Sequence, residues 1–187
     1  GQALITFNVR NNNGYPVTLS TVSSACLAAG ATQVTAFYKP SAINGLPGAI
    51  STANGWTQFG TGTVTVPTAL VIQPLLTGLT LTIPPGATYG ICVQGLIGAT
   101  GNISYSTLAA GTYTFSAGGC DIISGTNIGY GGVAAPGAPT FTPRGFIGSV
   151  GLVASTTACT SPARTVTVTV NQPISITTQP VNAAVCT

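Results

Sequence analysis

The apolar residues of this chain recur every second position and nowhere with a helical period. Ile5, Phe7 and Val9 alternate with Thr6, Asn8 and Arg10, and Leu79, Leu81 and Ile83 alternate ahead of the turn Pro84-Pro85-Gly86. Tyr89, Ile91 and Val93 resume the period, and Val166, Val168 and Val170 alternate with Thr165, Thr167 and Thr169. Successive side chains of a strand point to opposite faces, so a period of two is the mark of half-buried β-strands. Further strands are predicted at 17–23, 32–38, 56–59, 62–66, 69–73, 102–106, 111–116, 121–124 and 146–154. The run 164–170 is the purest strand, and 174–178 is a weaker one. Between them, 39–55 reads as a long loop with the turn pairs Asn44-Gly45 and Asn54-Gly55, and 129–145 as an ordered loop rich in Gly, Ala and Pro. Short strands separated by turn signals predict an all-β fold, an antiparallel β-sandwich of jelly-roll type over 1–170. Residues 171–187 then form an extended C-terminal strand or open a following module.

Charge narrows the setting. Only 3% of the 187 residues are charged: Arg10, Lys39, Arg144, Arg164 and Asp121. An ordinary globular domain carries about a quarter. A membrane helix needs about 18 uninterrupted apolar residues, and Thr, Ser, Gly, Asn and Pro break every run, so no membrane insertion is expected. Disorder goes with low hydrophobicity and high net charge, the reverse of this composition. What remains is a folded β protein whose polar surface is made of hydroxyls and amides. Its sheet edges lack the charged residues that keep strands of separate molecules apart. A subunit packed against copies of itself, or in a surface layer, has no need of them. Nucleic acid is not an expected partner, because no Lys/Arg cluster exists to neutralise phosphates.

Chemistry finds few tools here. The chain has no His and a single carboxylate, Asp121. Paired-carboxylate hydrolysis is therefore excluded within the chain, and a Ser or Cys nucleophile has no imidazole base. The five cysteines, Cys26, Cys92, Cys120, Cys159 and Cys186, match no zinc spacing. No cofactor or metal is expected, and Asp121 is a turn cap or an arginine partner rather than a calcium ligand. Gly129-Tyr130-Gly131-Gly132 precedes neither helix nor lysine, so it reads as a turn and not a phosphate loop. In a Thr-rich β chain, cysteines imply an oxidising, extracellular compartment. Cys26, Cys92, Cys120 and Cys159 are expected in two intrachain disulfides, with Cys120–Cys159 the favoured pair. Cys186 is then unpaired or intermolecular. Gly1-Gln2-Ala3 leads directly into a strand, which suits a secreted chain whose signal peptide has been removed.

Ala158-Cys159-Thr160-Ser161-Pro162-Ala163-Arg164 with the following Thr-Val repeat resembles the closing strand of modules in large secreted surface proteins of the Bacteroidetes type. Ile176-Thr177-Thr178-Gln179-Pro180 through Val185-Cys186 is similar to the opening strand of the Ig-like module that commonly follows. Phe37-Tyr38-Lys39-Pro40, Gly55-Trp56-Thr57 and Leu81-Thr82-Ile83-Pro84-Pro85-Gly86 look like a β-sandwich of the same proteins. The resemblance implies secretion, modular architecture, cell-surface display, and a part in adhesion or extracellular filaments. It supplies no catalytic residues.

The expected role is thus a secreted structural or adhesive surface protein, not an enzyme, with copies of itself or neighbouring modules as partners. Strand addition is one route to assembly, with Ile174, Ile176, Val181 and Val185 as the apolar anchors of the donated tail. The alternatives are a passive spacer in a giant surface protein, or a carbohydrate-binding module. In the latter, Trp56, Tyr38 and Tyr130 form a stacking platform for glycans; the contrary expectation is that Trp56 belongs to the core.

Overall fold

A computed structural model of the chain describes residues 3–96, 101–107, 111–125 and 144–155. The described residues form strands β1 (Leu4–Asn11), β2 (Val17–Ala25), β3 (Gly30–Lys39), β4 (Thr57–Val66), β5 (Ile72–Ile83), β6 (Thr88–Gly95), β7 (Tyr105–Thr107), β8 (Tyr113–Ala117), β9 (Cys120–Ser124), β10 (Arg144–Phe146) and β11 (Gly148–Ala154), with one 3-10 turn at Thr52–Asn54. The fold is all-β and antiparallel, a sandwich as the period of two requires. A six-stranded sheet in the order β4-β3-β6-β1-β9-β8 faces a three-stranded sheet in the order β11-β2-β5, and β10 pairs with β7 alongside. Among the described residues the layers are unequal, six strands against three.

The alternating residues pack as the pattern demands. Ile5, Phe7 and Val9 of β1, Val34 and Ala36 of β3, and Ile91 and Val93 of β6 form one wall of the main core. Val17, Leu19 and Val22 of β2 with Leu76, Leu79, Leu81 and Ile83 of β5 form the other. Phe146 of β10 stacks on Phe7, with ring centroids 4.1 Å apart, and covers the core beside β1.

The polar face of β1 is buried as well, which alternation alone did not predict. The loop between β3 and β4 lies across the outer face of the six-stranded sheet. Asn8 pins it there: its Oδ1 accepts the Ile43 N–H at 2.8 Å, and its Nδ2 donates to the Ile43 carbonyl at 3.1 Å. Gly90 lets the loop come close, since a Cβ there would stand 2.6 Å from Cγ1 of Ile43. Beneath the loop, Ile43, Ile50 and Trp56 pack on Leu4, Cys92 and Phe37 as a second, separate core.

Several predicted strands are redrawn. The segments 56–59 and 62–66 are one strand, β4, because a bulge opposite Ala36 and Phe37 absorbs Phe59 instead of ending the ladder. The predicted strand 69–73 starts late, since Leu70 turns the chain with φ 61°. The predicted strand 146–154 breaks at Ile147 into β10 and β11, which belong to different sheets. The predicted strands 164–170 and 174–178, the domain boundary at 170 and the extended tail lie outside the described residues.

Candidate functional site

Among the described residues four strands border the two sheets of the sandwich: β4 and β8 flank the large one, β11 and β5 the small one. None carries a charged residue. Sheet edges in soluble proteins are ordinarily blunted by Lys, Pro or bulges. Of these four only β5 has a proline, Pro74. β4 is the longest of these edges without a charge or a proline, interrupted by the bulge at Phe59. Its ten residues, Thr57–Val66, pair with β3 on one side, and Thr61, Thr63 and Thr65 face solvent.

On the β4 side the two sheets meet. Leu79 of β5 lies so close to Gly60 that a Cβ there would fall 2.3 Å from its Cδ2, and Leu76 lies over Gly62. The opposite side stays open. A cleft of about 480 Å³ separates the β8–β9 hairpin from β11, lined by Phe115, Ile122, Val150, Leu152, Tyr15 and Val17 among others. Val9, Ile122 and Phe115 stand in one register row across β1, β9 and β8. Along that row Val9 is sealed, Ile122 is half-buried and Phe115 is 58% exposed. The core layer thus runs out into the cleft uncovered.

The outer face of the same hairpin is held by the chain's sole carboxylate. Asp121 is 4% exposed and its Oδ2 accepts from Arg10 Nε at 2.8 Å, Arg10 Nη2 at 2.6 Å and Asn12 Nδ2 at 2.8 Å. Ser116 Oγ of β8 donates to Oδ1 at 2.6 Å. The Ser116 bond first, then those from Asn12 and Arg10, hold the carboxyl below its ordinary range against the opposing effect of burial. The expectation that Asp121 partners an arginine is met, and the group clamps β8, β9 and β1 together.

An apolar end is the third surface feature. Leu27, Leu70, Val71, Ile72 and Leu96 are all exposed, Leu70 by 65%. They sit in or beside the β2–β3 and β4–β5 connections and the end of β6, joined by bonds from Leu70 N–H to the Cys26 carbonyl and Leu96 N–H to the Gln33 carbonyl.

The predicted glycan platform is not assembled. Trp56 is 1% exposed beneath the β3–β4 loop, with no hydrogen-bond partner for its Nε1 among the described residues. Tyr38 belongs to the other face of the sheet, stacked on Tyr89 at 5.7 Å with Phe59 edge-on at 5.9 Å. Tyr130 lies outside the described residues, as do Cys159, Cys186, Ile174, Ile176, Val181 and Val185. The two-bridge scheme also needs correction. It requires at least one disulfide among Cys26, Cys92 and Cys120, and all three are buried free thiols. The six-stranded sheet separates Cys92 from the other two: Cys26 and Cys120 belong to the main core, Cys92 to the core on the outer face. Burial pushes all three thiols upward, although for Cys120 a hydrogen bond from Asn13 works the other way.

Sequence reasoning named neither the β4 edge nor Phe115. Both were visible only as strand residues, because nothing in a period of two marks which strand ends a sheet. No protein-family model matches the chain, and no curated protein matches it.

Proposed function

We propose that this is an extracellular structural or adhesive surface protein whose units join by β-strand addition, with β4 as the accepting edge. The observation that carries the reading is the absence of any charged side chain on the four sheet-edge strands. An edge of ten residues presents a row of unpaired N–H and C=O groups, and a docked strand gains affinity from them and register from its alternate side chains. The exposed apolar end adds surface that packs well only against another molecule. The donor is the tail, with Ile174, Ile176, Val181 and Val185 as its apolar positions. The resemblance to secreted surface modules of the Bacteroidetes type agrees with this role, as does a composition nearly free of charge. Glycan binding through Trp56 gains no support, because the indole is covered.

Deleting 174–187 tests the donor. The expected product is folded, soluble and unable to polymerise. A truncated chain that forms the same assembly as the parent rules out the tail.

A further inference from the structure

We infer that the groove where Tyr38, Phe59 and Tyr89 meet β5 is a binding site for a neutral oligosaccharide. The site does not use Trp56, and it gives the adhesive side of the proposed role a ligand that does not depend on assembly.

The seam between the sheets ends in this groove. Leu79 fills the space over Gly60, and the residue before it, Phe59, is the one the bulge displaces. Beyond that point residues of both sheets surround a hollow of about 410 Å³. Tyr38 of β3, Thr57 and Phe59 of β4, Thr80 and Thr82 of β5 and Tyr89 of β6 are among its lining. Small-molecule sites span about 300–1,000 Å³ and combine aromatic walls with a few polar groups. The three rings rest on the main core and stay half-buried. Tyr38 and Tyr89 lie 9° from parallel with centroids 5.7 Å apart, and Phe59 stands at 79° to Tyr38 at 5.9 Å. They supply aromatic walls in two planes, held by packing before any ligand arrives.

The occupant follows from the chemistry of the lining. A pyranose ring has an apolar C–H face and a belt of hydroxyls around it. The face matches an aromatic wall, and the belt matches the polar tip of a tyrosine. Within the described residues the hydroxyls of Tyr38, Tyr89 and Thr57 are engaged in no hydrogen bond, and none is buried, so each is available to a ligand. The eight residues that line the groove are all uncharged. Lys39 follows Tyr38 but points to the opposite face of the sheet, where its Cε stands 3.7 Å from the position of a Cβ on Gly55. A phosphate or an acidic sugar therefore meets no cation in this lining, whereas a neutral sugar needs none.

Isothermal titration of the full chain with cellohexaose, maltohexaose, mannohexaose and xylohexaose tests the site, with hexagalacturonate as the acidic control. The expected result is that at least one neutral hexasaccharide binds at one site per chain and the galacturonate does not. Tyr89→Ala should weaken that binding roughly tenfold, the scale of one aromatic contact. Should Tyr89→Ala fail to fold, Thr57→Arg replaces it. Thr57 is exposed and stands opposite Tyr38 in the β3–β4 register, so a long side chain there fills the groove and should abolish binding at an unchanged melting temperature. Thr63→Lys, on the same strand but outside the groove, should bind as the parent does. Binding of none of the four neutral sugars would overturn the inference, as would equal binding by the parent and Thr57→Arg, or tighter binding of the galacturonate. Particle size in the same samples reports assembly separately. Single particles that bind sugar remove the assembly reading alone, and polymers that bind none remove this inference alone.

Discussion

Asp121 shows how one side chain can govern a whole pH profile. With no His and no second carboxylate, no other acidic or imidazole side chain titrates below neutrality. Its folded pKa is depressed, so the stability it contributes is present above the unfolded value of about 4 and is lost as pH falls through the folded one. The denaturation midpoint should therefore be flat between pH 5 and 7 and drop below pH 4. Asp121→Asn should cost about 2 kcal/mol at pH 7, the scale of charge-assisted hydrogen bonds to a partner that is itself half in water, and should remove the acid drop. A variant with the parent's acid profile would show that the clamp is not the source. Trp56 is the second test at this scale. Trp56→Ala should cost about 3–5 kcal/mol through the cavity it leaves beneath the β3–β4 loop, read by urea unfolding. A variant of unchanged stability would place the indole outside the core.

At the scale of the element, the period of two was enough to locate β1, β2, β3 and β6, because each puts apolar residues on a face that meets the main core. The pattern does not encode partners. It could not show that Ser149, Val150 and Leu152 border a cleft while Leu19 and Val22 sit in mid-sheet, since both strands alternate alike. Nor could it show that Thr6 and Asn8 are covered, because the cover comes from a loop distant in sequence. Glycine ordinarily weakens a strand, yet Gly60 of β4 is the point where the two sheets touch. Gly60→Ala should accordingly cost about 1–3 kcal/mol by driving Leu79 out of place, and a neutral result in thermal melts would mean that the seam yields freely. Thr63→Lys sets a charge on the solvent face of the β4 edge. It should leave the melting temperature nearly unchanged and abolish assembly, as edge lysines do elsewhere. Assembly that survives this substitution would remove β4 as the acceptor.

The described body combines a well-filled centre with sheet edges that carry no charge to repel a neighbour. Its sandwich is closed where Leu76 and Leu79 meet β4, open at Phe115, and apolar at the end carrying Leu27, Leu70 and Val71. Net charge of +3 on 187 residues adds little repulsion between copies. On the proposed reading such borders favour contact between copies, and polymerisation is the claim on which that reading stands. Electron microscopy of the purified full chain, with the Thr63→Lys variant beside it, tests that claim most directly. The account predicts regular linear polymers from the parent chain and single particles from the variant. Uniform single particles from the parent at every concentration would contradict it.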